Sequence, residues 1–468
     1  MNPATSRTDR KPDPPKGDAA PGPRPFAVGL MGLGTVGSGV CRLLAERGAL
    51  LAARHGIAFR IARALVRDPS RPRRHLPRGV PVTGDAERFL GGRYDAVLEC
   101  MGGVEPAGAY TAAFLSRGVP VVTANKALLA ERGEALHALA ARRGTVLRYE
   151  ASVAAGIPVL GVVERALQSS RVRGVEAVLN GTSNFLCTRM EEGASPENAL
   201  AEARRLGLAE ADPSLDLSGT DAAQKLTVLL RALGADLPPV AQEVTGIEHV
   251  TPRDFARVRR FGGVLKPVAA ASLEGPSALG YVAPALVRPG HPLAGLRDAE
   301  CGVLLRCEPA GDLFLSGPGA GALPTAGAMV DDLVAVAREA AGAPGLRLPA
   351  GVSPSGPPPA CDAAGHRDPG GEEDPRPALS CGWFLAMTPL KGRARLEDLL
   401  EFLAASGVVF REMRTADSGG SLCLEGITLP LTAGRIGRLA GRLRVTGAVE
   451  TFRAFRVLEA PFRGRTRP

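Results

Sequence analysis

A short apolar run, Phe26 to Met31, breaks into Gly32-Leu33-Gly34-Thr35-Val36-Gly37 and then into a stretch with apolar residues at 36, 40, 43 and 44. Strand, GxGxxG turn and helix in that order let a chain turn tightly and bring backbone N–H groups to a pyrophosphate at a positive helix N-terminus. In a chain with 58 Gly the motif alone is weak. Its place between strand and helix, at the first ordered element, favours dinucleotide binding over a Gly-rich turn. Gly32, Gly34, Thr35, Val36 and Gly37 are the candidate cradle.

A second strand, Phe59 to Val66, ends in Arg67-Asp68-Pro69, with Arg71, Arg73 and Arg74 close behind. An acid at that strand end would take the ribose hydroxyls of NAD, whereas Arg67 suits the 2′-phosphate of NADP. The pattern leans to NADP, and Asp68 keeps NAD open. Further strands are expected at Ala96–Cys100, Val119–Thr123 and Thr145–Tyr149, each separated by a helical stretch. That alternation predicts an α/β fold with a Rossmann-type doubly wound parallel sheet and ligands at the strand C-termini.

From about 160 the pattern changes to an α+β domain. A strand at Gly174–Leu179 leads into Asn180-Gly181-Thr182-Ser183-Asn184-Phe185, and a helix starts near Gly219. More strands fall between 260 and 317, and Gly317-Pro318-Gly319-Ala320-Gly321 opens another helix. The expected organisation is a disordered tail (1–24), a nucleotide domain (25–159, with helix 320–341 packing back on it) and a catalytic and oligomerisation domain (160–345). A Pro/Gly-rich linker (346–377) and a module at 378–460 follow. The module reads β-α-β-β-α-β, a ferredoxin-like order.

Lysine is scarce: six of the 57 basic residues, at 11, 16, 126, 225, 266 and 391. Arg replaces Lys at most surface sites but cannot release its proton near neutral pH. Lys225 ends the run from Gly207 that carries Glu210, Asp212, Asp216 and Asp221. Asp221 and Lys225 are i and i+4, so on a helix their side chains meet. The bland alternative is a surface ion pair of little worth, but the Ala- and Leu-rich context predicts burial, and a buried pair suits proton transfer. Lys126, in Thr123-Ala124-Asn125-Lys126 after a strand, would face the same crevice. Two converging ammonium groups would depress one pKa; alternatively Lys126 binds a substrate carboxylate or a cofactor phosphate. Glu210 and Asp216 could bind a substrate ammonium. Lys266 and Lys391 read as solvated.

Other chemistries find less support. Cys100, at a strand end, is the one tempting thiol, as in a thioester-forming semialdehyde dehydrogenase, but no basic neighbour follows it. Eight scattered Cys without a CxxC pair read as reduced core cysteines of a cytoplasmic protein, and six ungrouped His make catalytic zinc unexpected. The net charge of +9 comes with only 4% aromatics and no basic–aromatic block, which speaks against nucleic acid. No apolar stretch is long enough to span a bilayer.

The ordered set GLGTVG, TANKALLA, RYEASVAAGIP, LNGTSNF, GLAEADPSLDLSGTDAAQK and GPGAGALPTA, over roughly residues 25 to 345, resembles homoserine dehydrogenase of the monofunctional bacterial type. The resemblance implies reversible NAD(P)-linked interconversion of L-homoserine and L-aspartate 4-semialdehyde, toward threonine and methionine, in a homodimer or homotetramer. It implies that Lys225 transfers the proton beside Asp221, that Glu210 binds the substrate amino group, and that Lys126 serves cofactor or substrate. Gly207 and Gly321 would contact the cofactor through their backbone. Glu150, with the carbonyls of Val153, Ala155 and Ile157, would hold a monovalent cation, usually sodium. The C-terminal module is similar to an ACT domain, but its Thr388-Pro389-Leu390-Lys391-Gly392 displaces the expected glycine. Threonine as an effector therefore stays open against a purely structural module. The competing readings are another NAD(P)-dependent oxidoreductase of a semialdehyde or sugar, which would not need LNGTSNF, and a non-catalytic Rossmann redox sensor, which would not need Lys225.

Overall fold

The apolar run Phe26–Met31 (β1) forms the middle of a parallel sheet, with five of its six residues buried. A computed structural model describes residues 25–342 and 379–459, apart from 74, 237, 239–241, 275–276, 391–395, 418–421 and 447. The expected tail, the linker, Arg74 and Lys391 lie outside the described residues. After β1 come α1 (Thr35–His55), β2 (Phe59–Leu65), β3 (Val82–Thr83), α2 (Ala86–Leu90) and β4 (Ala96–Glu99). Then follow α3 (Ala107–Ser116), β5 (Val121–Thr123), α4 (Lys126–Arg142) and β6 (Leu147–Arg148). The sheet runs β3-β2-β1-β4-β5-β6, and every pairing in it is parallel. That order reverses between β1 and β4, which opens the crevice at the strand C-termini where doubly wound sheets take their ligands. The short edge strand β3 was not expected, and β6 covers only part of the strand anticipated at 145–149.

The second part holds α5 (Val159–Ala166), β7 (Arg171–Val178), α6 (Gly181–Glu191), α7 (Pro196–Arg205), α8 (Ser214–Leu217) and α9 (Thr220–Ala232). It continues with β8 (Glu243–Val244), α10 (Pro252–Arg260), β9 (Val264–Ser272), β10 (Leu279–Val287), β11 (Glu300–Glu308), β12 (Gly311–Pro318) and α11 (Ala322–Ala340). The last part comprises β13 (Ser380–Cys381), β14 (Trp383–Pro389), α12 (Leu396–Ala405), β15 (Phe410–Asp417) and β16 (Leu422–Thr428). It closes with β17 (Leu431–Thr432), α13 (Ala433–Thr446) and β18 (Val449–Leu458).

A single ten-stranded sheet unites these two parts, in the order β12-β11-β7-β9-β10-β18-β14-β16-β15, with β8 also on β10. The join is a parallel pairing of β10 with β18, Ala285 to Val287 against Arg456 to Leu458. Within the C-terminal part the order last, first, third, second strand is ferredoxin-like.

Two apolar layers fix the nucleotide sheet. On one face α1 and α11 pack through Val40, Ala326, Met329 and Leu333. A Cβ at Gly39 would come within 2.7 Å of the Ala322 carbonyl oxygen, so the two helices approach at backbone distance. On the other face Phe114, Leu115, Leu128 and Leu136 form one cluster with Leu226, Leu229 and Leu230 of α9. Arg231 reinforces that junction by donating to the carbonyls of Leu129 and Ala130, both at 2.8 Å. The first turns of α4 and α9 meet where Lys126 pairs with Asp221.

One lysine departs from the sequence reading. Lys266, read as solvated, is 1% exposed and donates to the Leu296 carbonyl. It sits in β9, buried over seven of nine positions, so no face of that strand reaches water. Burial pushes its pKa down.

Candidate active site

At the cofactor end, Gly32 has φ +91°, and a Cβ there would lie 2.5 Å from the Cys100 carbonyl oxygen. A Cβ on Gly37 would lie 2.3 Å from the Gly32 carbonyl oxygen, whereas nothing comes within 4 Å of one on Gly34. The 21-residue α1 has no side-chain cap and no acid in its first turn. Its first N–H groups lack intrahelical partners, so the glycine cradle fits an anionic pyrophosphate. Gly321, φ +119°, precedes α11 without a side-chain cap, on the helix that abuts α1. Gly207, φ +73°, is exposed beyond the end of α7.

At the end of β2, Arg67 is exposed. Asp68 is turned onto its own loop, accepting from Ser70 N at 2.9 Å and Ser70 Oγ at 2.6 Å. Those hydrogen bonds hold its carboxyl below the usual range. Arg73 spans the gap to the cradle, donating to the carbonyls of Leu33 and Asp68, each at 3.2 Å. The sequence reading named Arg73 only as a nearby charge.

The reactive cluster sits where α4 meets α9. Gly219, φ +82°, ends the preceding loop and caps α9, whose second residue is Asp221. Asp221 is 6% exposed. Its Oδ2 is 2.7 Å from Lys225 Nζ and its Oδ1 is 3.1 Å from Lys126 Nζ. Lys225 also donates to the Leu179 carbonyl at 2.8 Å, and its side chain is 12% exposed. Burial pushes the Asp221 carboxyl up, but the Lys225 and Lys126 charges and the donated bonds outweigh it, bringing its pKa down to about 2.

The expected depression of a lysine pKa does not hold for Lys225. Burial works against its charge, yet Asp221 more than offsets that and holds its pKa above the ordinary lysine value. The reason is geometric: the two ammonium groups flank one carboxylate rather than facing each other. Lys225 rests as the ammonium.

Asn180 organises the acids and was missing from the sequence-derived site. Its Nδ2 donates to Asp216 Oδ1 at 2.7 Å and to Asp221 Oδ2 at 2.8 Å. Its Oδ1 accepts from Ser183 N at 2.7 Å and caps α6. Burial, then the Asp221 charge, raises the Asp216 carboxyl against the Asn180 bond. An Asn between a strand and Gly-Thr-Ser was the available signal, since Asn is a preferred N-cap. Glu210 stands apart, exposed and without a hydrogen bond or ion pair among the described residues. Glu99, also missed, is fully buried at the end of β4. It accepts from Thr123 Oγ1 and, at 2.7 Å, from Met101 N. An acid inside an apolar strand was its signal.

The segment 150–157 lies against α5 and α11. Glu150 accepts from Leu160 N at 2.9 Å and Gly161 N at 2.6 Å, which anchors the start of α5. Ala155 takes a left-handed φ of +50°. Val153 and Ala155 are buried, and their carbonyls accept no hydrogen bond among the described residues. The Ile157 carbonyl accepts from Val159 N at 2.8 Å. The segment thus offers a carboxylate and two carbonyls without donors among the described residues, oxygen ligands of the kind a hard cation takes.

Cys100 lacks the setting of a nucleophile. Its Sγ meets Met329 Sδ at 3.5 Å, and burial, with Glu99 adding to it, drives its pKa far up.

Comparison with known proteins agrees with this arrangement. Residues 158–334 match the family model described as homoserine dehydrogenase, and residues 32–150 match the homoserine dehydrogenase NAD binding domain. The chain is 39% identical over 314 residues to homoserine dehydrogenase of Bacillus subtilis, covering 66% of this chain and 72% of that protein. It is 37% identical over 320 residues to that of Corynebacterium glutamicum, with the same coverage. The structure of a homoserine dehydrogenase from Thiobacillus denitrificans superposes with a TM-score of 0.82 at 29% identity, over 94% of this chain and 99% of that one.

Proposed function

The chain belongs to the homoserine dehydrogenase family, and from that premise we propose how its residues divide the interconversion of L-homoserine and L-aspartate 4-semialdehyde, a step toward threonine and methionine. The enzyme is an oxidoreductase acting on a CH–OH group with a nicotinamide cofactor. When bound, the nicotinamide supplies or accepts the hydride at the carbinol carbon.

Lys225 is the proton-transfer group, and the observation that carries this is its buried ammonium 2.7 Å from Asp221. In the reducing direction the ammonium donates to the developing alkoxide oxygen; in the oxidising direction the amine removes the hydroxyl proton. Asp221 orients Lys225 and keeps it charged, and Asn180 fixes the carboxylate. Lys126, 35% exposed and bound to the other oxygen, keeps donors free for a substrate carboxylate. Asp216 is the acid best set to receive a substrate ammonium. Glu210, exposed ahead of it in the chain, is the second acid proposed for the substrate amino group.

The cofactor reading favours NADP. Arg67 is exposed at the end of β2, Arg73 lies against the cradle, and Asp68 is occupied by Ser70. A 2′-phosphate gains from two guanidinium groups, whereas a ribose hydroxyl would find one Asp68 oxygen already taken by Ser70. Glu150 and the carbonyls of Val153, Ala155 and Ile157 form the proposed sodium site, which would brace the turn between the two domains.

The decisive assay follows absorbance of the reduced nicotinamide with aspartate 4-semialdehyde, NADPH against NADH, with and without threonine. Faster turnover with NADPH is the expected result. Equal use of both cofactors would remove the role given to Arg67 and Arg73.

A further inference from the structure

The C-terminal part is tied, through a buried cation, to a segment that packs against the reactive cluster. Arg456 of β18 is 2% exposed. Its guanidinium lies 4.1 Å from the ring centroid of Tyr281 and 4.8 Å from that of Trp383, and it pairs with Glu243 of β8. Tyr281 belongs to β10, Trp383 to β14, so the side chain clamps both sides of the β10–β18 join. An Arg in that position is costly to bury unless its charge is met, and Glu243 is the acid that meets it.

Glu243 opens a short segment that runs into the active site. Next to it, Gln242 donates to the Ala223 carbonyl at 3.0 Å and to Thr227 Oγ1 at 2.8 Å, both on α9 between and beyond Asp221 and Lys225. Glu243 and Val244 pair with Tyr281 and Val282. Ile247 N donates to the Leu217 carbonyl at 2.8 Å. A Cβ on Gly246 would fall 2.0 Å from that same carbonyl oxygen, so the two backbones are in direct contact. Gly219, the residue that starts α9, faces the Val244 side chain. Segment 242–247 therefore holds the loop that carries Asp216 and the helix that carries Asp221 and Lys225.

We propose that Arg456 is a positioning residue: through Glu243 it fixes segment 242–247, and so sets the Asp216 loop for substrate. This rests on the assignment of the Asp216–Asp221–Lys225 cluster to the substrate site. The C-terminal part is then needed for substrate affinity without touching substrate or cofactor. Trp383 is the only tryptophan in the chain, which makes its emission a direct report on the clamp, since a stacked cation changes the ring's surroundings.

The test uses the full-length protein with Glu243→Gln and Arg456→Met. Glu243 is 47% exposed, and its amide variant keeps a side-chain oxygen for the guanidinium while losing the charge; circular dichroism and the melting temperature establish that it is folded before KM is read. In both variants the KM for homoserine is expected to rise about tenfold, with kcat and the Kd of the dinucleotide unchanged. In the native protein, homoserine added without cofactor shifts Trp383 emission, and Glu243→Gln abolishes that shift. An unchanged KM in folded Glu243→Gln, a parallel loss of dinucleotide affinity, or a Trp383 emission that ignores homoserine overturns the proposal. Failure of the site assignment looks different: Lys225→Met would then keep its turnover whatever the Glu243 variant does.

Discussion

Replacing Lys225 by Met keeps an unbranched apolar side chain out to the ε-carbon and removes the ammonium. Two bonds vanish, to Asp221 Oδ2 at 2.7 Å and to the Leu179 carbonyl at 2.8 Å. A hydrogen bond to a charged group contributes about 1.5–3 kcal/mol. Asp221 is not stranded, because Lys126 Nζ at 3.1 Å and Asn180 Nδ2 at 2.8 Å still serve it. The loss of stability should therefore stay near the lower end for a broken buried pair, about 3 kcal/mol. The variant folds and its melting temperature falls by about 5 °C or less. Catalysis suffers more. Loss of a positioned proton donor lowers kcat about 10²- to 10⁴-fold, while the glycine cradle, untouched, keeps its dinucleotide affinity. Stopped or steady-state absorbance of the reduced nicotinamide measures the first, and fluorescence titration with NADPH the second. Lys225→Arg restores the charge but not the proton, so turnover stays low. A folded Met variant with more than about a tenth of the native kcat would refute the assignment.

The raised pKa of Lys225 sets the pH response. Semialdehyde reduction needs the ammonium, present below that pKa, so its rate stays flat through neutral pH and falls in alkali; homoserine oxidation needs the amine and rises over the same interval. Asp221→Asn removes the anion that favours the charge, and both limbs should move to lower pH in a pH–rate profile; limbs that stay put would contradict the pairing. Arg67→Ser should raise the KM for NADPH about 10- to 100-fold, the loss of one charge-assisted contact, and leave that for NADH unchanged; equal effects on both would end the 2′-phosphate reading. Sodium should raise the melting temperature over a bulky quaternary ammonium ion at equal ionic strength, and Glu150→Gln should erase the difference. No difference in the native protein would remove the cation from segment 150–157.

What could be read in advance was what is local. The glycine cradle depends on six consecutive residues and their flanks, and Asp221–Lys225 on one turn of helix, so both followed from spacing alone. Lys126 followed from its place after a strand. Asn180 did not, because its bonds to Asp216 and Asp221 cross 36 and 41 residues of chain. Nor did the merging of two sheets, which turns on three pairings between β10 and β18. Lys266 was misread because a strand buried on both faces has no alternation to signal burial. The sign of the Lys225 shift shows the boundary best. Spacing places one carboxylate beside one ammonium, and burial alone would drive the proton off. Which effect wins depends on where the third charge lies. Had Lys126 faced Lys225 directly, the like charge would have lowered the Lys225 pKa instead of raising it. With Asp221 beside it, Lys225 stays charged, and under the proposed mechanism the resting site holds the proton that an aldehyde oxygen would take.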